Sequence, residues 1–427
     1  MKSAIVVRLA CRSLLARRFT AALTVITVAI SVALFAATEQ VRSGARSGFE
    51  GAIRGVDLVV GARTGPVNLI LYSVFRIGSP TSNMTMKSYE RFAAHPAVQW
   101  SIPISLGDSF RGFRVAGTTP AFYERYRFGD DRQIQFKEGN GPQRLFDAVI
   151  GADVADRLGL NSGRKIVLTH GISQSAGILD HEELPFLITG VIQRTGTPVD
   201  RTVFISLEAL EAIHLDWYSG APPAEGEETP REKIEEMYRK GELKPKQITA
   251  FYIRTKNRFE VLRLQREIQD YSDEALTAAL PGVALQELWQ SVSILETALR
   301  IMSLFIVAGG LSGMMLSLFM LLDRRRKEMA VLRALGAGPG LLAMLMIAEA
   351  ALLSATGATL GLLVSRITLS LLAEPFGMQT GFFVRIVPPG TIELLTIPIV
   401  TVLGMLAGLF PAMQAVRRSM QDGLYAP

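Results

Sequence analysis

RRRKEMAVLRALGAGPGLLAMLMIAEAALLSATGATLG, residues Arg324 to Gly361, is the stretch whose reading decides the fold. It sets a basic cluster first, then Met329, Leu332 and Leu335 at helical spacing, then a break at Gly336, Gly338 and Pro339. After the break, Leu341 to Ser365 forms an apolar block that holds a single charge, Glu349. Three further blocks, Phe19 to Thr38, Ile301 to Leu322 and Leu394 to Val416, carry no charge. Each block supplies the roughly 20 apolar residues that cross ~30 Å of hydrocarbon. A buried core helix of that length would ordinarily keep a polar face. The 49% apolar composition and mean hydropathy of +0.28 agree with four membrane crossings.

Work outward from the basic cluster and the charges fix an orientation. Lys2, Arg8, Arg12, Arg17 and Arg18 precede the first block with no acid among them; Arg324, Arg325, Arg326, Lys327 and Arg333 stand against Asp323 and Glu328 between the second and third; Arg417 and Arg418 stand against Asp422 after the fourth. The net charge of +6 is thus concentrated in alternate short segments, which the positive-inside rule places in the cytoplasm. This is a topology signal, and nucleic acid is not an expected partner. The expected layout is an amphipathic cytoplasmic helix over 1–18, crossings at 19–38, 294–322, 341–372 and 394–416, a cytoplasmic loop over 323–340, a short external loop over 373–393 and a cytoplasmic tail over 417–427. Residues 39–293 form a large domain outside the cytoplasm. The only cysteine, Cys11, falls on the cytoplasmic side, so no disulfide is expected in that domain. A cleaved signal peptide competes for the first block, but its length and amphipathic lead-in favour a retained anchor.

The external domain mixes strand and helix signals. Val56 to Val60, Lys165 to Leu168, Phe186 to Ile192 and Val203 to Ile205 read as strands, while Asp147 to Leu160, Ser206 to His214, Arg231 to Lys246 and Phe259 to Leu280 read as helices. Ser206 is the N-cap of the second of these, and Gly220 to Pro230 is a solvated loop. Subdomain boundaries are expected near 80 and 250. Val67 to Phe75 is apolar but too short to span, so it reads as core, with an exposed patch as the other option. The fold class is therefore an α-helical membrane protein with four transmembrane helices and a large α+β extracytoplasmic domain between the first two.

The order of basic stretch, acidic residue, LRALGA run, membrane glutamate and small-residue steps in Arg324 to Gly361 resembles the signature of the FtsX/MacB-like permeases, a family of ABC transporter membrane subunits that includes LolC/LolE-like chains. FPAMQAVRR at Phe410 to Arg418 resembles the family's ending, although the tail SMQDGLYAP departs from it. VIGADVADRLGLNSGRKIVL and FLITGVIQRTG resemble its periplasmic core domain. The resemblance implies a type VII, mechanotransmitting system in the bacterial inner membrane, with both termini cytoplasmic. The implied partners are a cytoplasmic ABC ATPase dimer, a second permease subunit (identical or paralogous), membrane lipid, and a periplasmic adaptor, lipoprotein or substrate-binding protein. No cofactor is expected on this chain, ATP and Mg belonging to the ATPase; no G-x-x-x-x-G-K-[ST] occurs in it.

The resemblance makes Arg324, Arg325, Arg326, Lys327, Glu328, Met329, Leu332, Arg333, Leu335 and Gly336 the ATPase-coupling helix; plain positive-inside anchoring is the simpler reading. Glu349, costly at its depth, is expected to face the bundle, either as a structural hydrogen-bonding group or as a moving part, with no second buried ionisable residue beside it. Gly309, Gly310, Gly313, Gly357, Gly361, Gly404 and Gly408 provide small-residue steps for helix packing or a dimer seam. His170, His181, Glu182, Glu183 and His214 match no metal-ligand spacing, and no metal site is expected. No nucleophile elbow, HExxH or carboxylate pair points to an enzyme. The expected function is a permease that converts ATP hydrolysis on a partner into movement of its external domain, to export or extract a lipoprotein, lipid, peptide or amphiphile. A regulator that activates an extracytoplasmic hydrolase or sensor is the alternative.

Overall fold

The computed structural model describes residues 2–171, 183–217, 229–324, 331, 333, 334, 336–380 and 388–422. The chain divides into two units, one of Met1–Arg46 with Val292–Pro427 and one of Ser47–Ser291.

The first unit is helical. Four helices, Arg18–Gly51, Pro281–Arg324, Pro339–Thr380 and Thr391–Asp422, are long and apolar enough to cross a membrane. Val28 and Val32 from the first, Val307, Leu311, Met314 and Leu318 from the second, Ala350, Leu353 and Ala358 from the third and Val400 from the fourth make its core. Hydroxyls join the first two helices at two levels: Thr24 and Ser317 lie 3.1 Å apart, and the Ser303 hydroxyl donates to Thr38 at 3.4 Å. Pro398 and Pro411 sit inside the fourth helix, as neighbouring helices in a membrane allow. Lys2–Ala16 forms the amphipathic helix, but its apolar positions divide. Val6 and Ala10 are buried, with the helix packed on the third crossing, whereas Val7, Leu9 and Leu15 are exposed. Arg8 and Arg12 are exposed too.

The second unit is built on one mixed sheet of ten strands among the described residues. From one edge the order is Leu276–Ala279, Leu58–Ala62, Ala250–Thr255, Val98–Phe110, Phe113–Thr118, Thr202–Ser206, Asp147–Ile150, Phe186–Ile192 and Phe136–Gly139, with Lys165–Ile166 also on Phe186–Ile192. Only the pairs Thr202–Ser206 with Phe113–Thr118 and Phe186–Ile192 with Asp147–Ile150 are parallel. Period-two alternation buries both faces. Leu58 and Val60 pack with Phe92, Leu264 and Ile268, while Val59 between them joins Leu69, Ile70 and Tyr72 on the other face. Val203 and Ile205 pack with Val154, Ala209 and Leu210, while Phe204 stacks on Phe122 at 4.8 Å. Val67 to Phe75 is core, chiefly as the helix Pro66–Ser73.

Two expected helices are corrected. Asp147 to Leu160 is a strand, Asp147–Ile150, followed by a shorter helix, Ala152–Leu158. The run DAVI is short and apolar, so periodicity could not separate strand from buried helix, and a central place in the sheet decided it. Gly151 makes the corner: a Cβ there would fall 2.3 Å from the Val199 carbonyl oxygen. Phe259 to Leu280 is a helix only over Val261–Gln269, then an edge strand at Leu276–Ala279 that pairs with Leu58–Ala62. The helix ends at Gln269 with Asp270 as its C-cap, and the sheet edge overrides the helical preference of LTAA. No break in the sheet falls at 80 or 250, because strands from before and after both positions interleave in it. Ser206 does cap the helix Leu207–Ala212, accepting from Ala209 N–H at 3.1 Å. Of Arg231 to Lys246 only Arg231–Arg239 is helical. Residues 220–228 of the expected solvated loop lie outside the described residues.

Candidate functional site

Most of the expected coupling helix, namely Arg325, Arg326, Lys327, Glu328, Met329, Leu332 and Leu335, lies outside the described residues. Arg324 ends the second membrane helix, and Arg333 is half-buried. Gly336 turns the chain at φ +90°, its N–H donating to the Arg333 carbonyl at 2.9 Å, before the third helix opens at Pro339.

Within the bundle the glycines differ in what they face. A Cβ at Gly357 would lie 2.8 Å from Val28 Cβ, one at Gly361 2.5 Å from the Ala29 carbonyl oxygen, one at Gly404 2.3 Å from Ser354 Oγ and one at Gly408 2.5 Å from Ala350 Cβ. Gly310 likewise meets Ser31, at 2.4 Å, whereas Gly313 makes only a loose approach to Thr27 and Gly309 meets nothing within 4 Å. The first and third helices thus meet along Gly357 and Gly361, the third and fourth along Gly404 and Gly408.

Glu349 is buried in the bundle at 2% exposure. Two further acids, Glu39 and Glu393, are buried at the helix ends remote from Arg324. Arg42 and Arg300 hold Glu39, the latter at 3.7 Å. Glu393 accepts from Arg366 at 2.9 Å and from Gln40 at 3.1 Å. These pairs connect all four membrane helices at one end. Glu39, Arg300, Arg366 and Glu393 each stand next to the end of an apolar block, two acids and two arginines, a signal that was available in the sequence.

In the second unit, His170 and His214, expected to be isolated, come together. His170 Nδ1 lies 3.0 Å from His214 Nε2, and each is 3.4 Å from Oδ1 of the fully buried Asp108. Asp108 was not among the expected site residues. Glu183 is exposed and outside this group, while His181 and Glu182 lie outside the described residues. Burial pulls the His214 pKa down, but the hydrogen bond and charge of Asp108, the Leu210 carbonyl and Glu211 outweigh it and hold it above its ordinary value.

Asp200 lies in the loop that Gly151 admits. It accepts from Thr195 N–H and Oγ1, both at 2.8 Å, and from Gly196 N–H at 2.7 Å. Nearby, Arg194 joins Asp153 at 2.6 Å and Asp156 at 2.8 Å. Burial pushes the Asp200 carboxyl up to about 6 against those hydrogen bonds. The folded chain therefore binds this proton more tightly than the unfolded chain, whose carboxyl keeps the ordinary 3.8. Between these values the group's contribution to stability falls as pH rises, by about 3 kcal/mol in all. A carbon-13 NMR titration of Asp200 should give a midpoint near 6, whereas one at or below 3.8 would mean that the hydrogen bonds outweigh burial.

Four membrane-length helices with a long folded insertion after the first define a multi-pass membrane protein with a domain outside the bilayer. Residues 21–271 match the MacB-like periplasmic core domain family and residues 300–420 match the FtsX-like permease C-terminal family. The chain belongs to the FtsX/MacB-like family of ABC transporter permeases, whose members are membrane components of the transporter. Among solved structures, the periplasmic region of MacB from Actinobacillus actinomycetemcomitans is similar over 55% of this chain and 94% of its own, at 9% identity and a TM-score of 0.33. The extracellular domain of the noncanonic ABC-type transporter YknZ from Gram-positive bacteria is similar over 52% of this chain and 98% of its own, at 8% identity and a TM-score of 0.29. No curated protein matches the chain.

Proposed function

We propose that this permease transmits mechanical work from a separate cytoplasmic ATPase dimer, which holds ATP and Mg, to the external domains of a permease dimer in a bacterial inner membrane. The movement extracts or exports a lipoprotein, lipid, peptide or amphiphile, with or without a periplasmic adaptor. One observation carries this reading: an FtsX-like helical region and a MacB-like domain share one chain, the domain inserted between the first two membrane helices. The apolar packing of Val28, Val32, Leu311, Met314 and Leu353 supports helices that move as bodies over a polar conduit through one subunit. The basic segment 324–335, between the second and third helices, is the proposed point of contact, its apolar ridge of Met329, Leu332 and Leu335 seated in a groove on the ATPase.

The test is reconstitution in nanodiscs with an ABC ATPase that co-purifies with this chain. Wild-type permease should stimulate ATP hydrolysis, and Leu332→Glu with Leu335→Glu should weaken ATPase binding about tenfold or more, ~1.4 kcal/mol, while the melting temperature holds. Unchanged stimulation by the double variant would refute the coupling role. Stimulation accompanied by activation of a bound hydrolase, with no ligand released, would favour the regulatory alternative.

A further inference from the structure

We propose that Asp108, His170 and His214 form a binding site for zinc(II) on the external domain. The fold assembles the three residues by separate devices. Asp108 lies where the pairing of Val98–Phe110 with Phe113–Thr118 shifts register between Leu106 and Ser109, an irregularity that re-aims side chains at this point of the strand. The next residue, Ser109, makes an isolated antiparallel bridge to Thr169, with N–H to carbonyl bonds of 3.0 and 2.9 Å in the two directions. That bridge delivers His170 beside Asp108. His214 follows the helix Leu207–Ala212 and turns back on its last turn, where its Nδ1 lies 2.9 Å from the Leu210 carbonyl oxygen.

The spacing is that of a metal's ligand shell. Tetrahedral coordination with metal–ligand bonds of about 2.0–2.1 Å sets ligand atoms about 3.3–3.4 Å apart. The three separations here are 3.4, 3.4 and 3.0 Å. At these separations a point about 2 Å from all three atoms exists, as a shared cation requires. The carbonyl partner of His214 also fits. A carbonyl can only accept, so Nδ1 carries the proton and Nε2 presents its lone pair toward the cluster; metal-bound imidazoles are ordinarily oriented in this way. Two imidazoles and one carboxylate suit zinc, and three protein ligands leave a fourth position for water or a further donor. The carboxylate forms a fully buried floor, while the His170 and His214 side chains are 41% and 26% exposed, so the metal can exchange with solvent. Trp217 packs against His170, ring centroids 4.2 Å apart, and places an optical reporter at the site.

The experiment uses the full chain, purified without a histidine tag, stripped with EDTA and held in nanodiscs. Chelator competition should show zinc bound at the site at micromolar concentration or tighter, with Asp108→Asn, His170→Ala and His214→Ala each weakening it about 100-fold or more. Cobalt(II) in the wild-type chain should give the intense visible bands of tetrahedral coordination. Copper(II) should quench wild-type fluorescence with saturation, and Trp217→Phe should remove that quenching while zinc affinity is kept; this arm stands even if a ligand variant fails to fold. The proposal is overturned if wild-type protein shows no saturable zinc binding below about 100 μM, a level that corresponds to only ~5.5 kcal/mol. It is equally overturned if His170→Ala/His214→Ala, folded by circular dichroism, binds zinc as wild type does, or if Trp217→Phe is quenched as fully as wild type.

Discussion

Gly361→Leu should destabilise the membrane bundle by about 3 kcal/mol, the upper end of what overpacking usually costs. At this position a Cβ would lie 2.5 Å from the Ala29 carbonyl oxygen, 3.0 Å from Ala33 N and 3.0 Å from Val32 Cβ. Two of these are backbone atoms of the facing helix, so no rotamer change relieves the clash and the helices must part. One turn earlier, Gly357 meets Val28 in the same way, so separation at Gly361 also loosens that contact. Lipid cannot restore the loss, because helix association in a bilayer relies on close packing. Unfolding of the reconstituted chain by SDS titration measures the effect. Gly309→Leu, whose added Cβ meets nothing within 4 Å, should change stability of the single subunit by under ~0.5 kcal/mol. Equal losses for the two variants would show that the seam between the first and third helices is misplaced.

Glu393→Ala should cost a similar amount, about 3 kcal/mol, by removing the buried carboxylate on which Arg366 and Gln40 converge. The pair is 2.9 Å apart with the glutamate side chain only 5% exposed, and Gln40 donates to the same oxygen. Removing one partner of a buried ion pair is costlier than replacing both by apolar residues of similar size. Arg366→Met with Glu393→Leu should therefore recover most of the stability lost by Glu393→Ala. A double-mutant cycle on the same SDS assay reads the coupling directly. If Glu393→Ala is neutral, the network at this end of the helices is solvated and does not tie them together.

Much of the architecture was legible because membrane physics writes it in long runs. Leu341 to Ser365 needs only its length to be read as a crossing. The external domain was less legible. Val98–Phe110 contains Pro103 and Gly107, which read as strand breakers, yet it is a central strand, paired on both sides. Its tolerance depends on neighbours that no local window contains. The same holds for the Asp108 cluster. His170 and His214 are 44 positions apart, and only the bridge from Ser109 to Thr169 and the turn after Ala212 bring them together. Glu39, Arg366 and Glu393 were visible as charges at block edges, but which sign meets which is fixed by the packing of the helices.

The central claim is that ATP chemistry on a partner moves the external domains, and a distance measurement tests it most directly. With Cys11→Ala as background, Phe259→Cys places a single spin label at a residue 90% exposed. Electron–electron resonance on the reconstituted dimer with its ATPase should give one label-to-label distribution without nucleotide and a shifted one when ATP is trapped. Identical distributions in the two states, in a complex that hydrolyses ATP, would contradict the account.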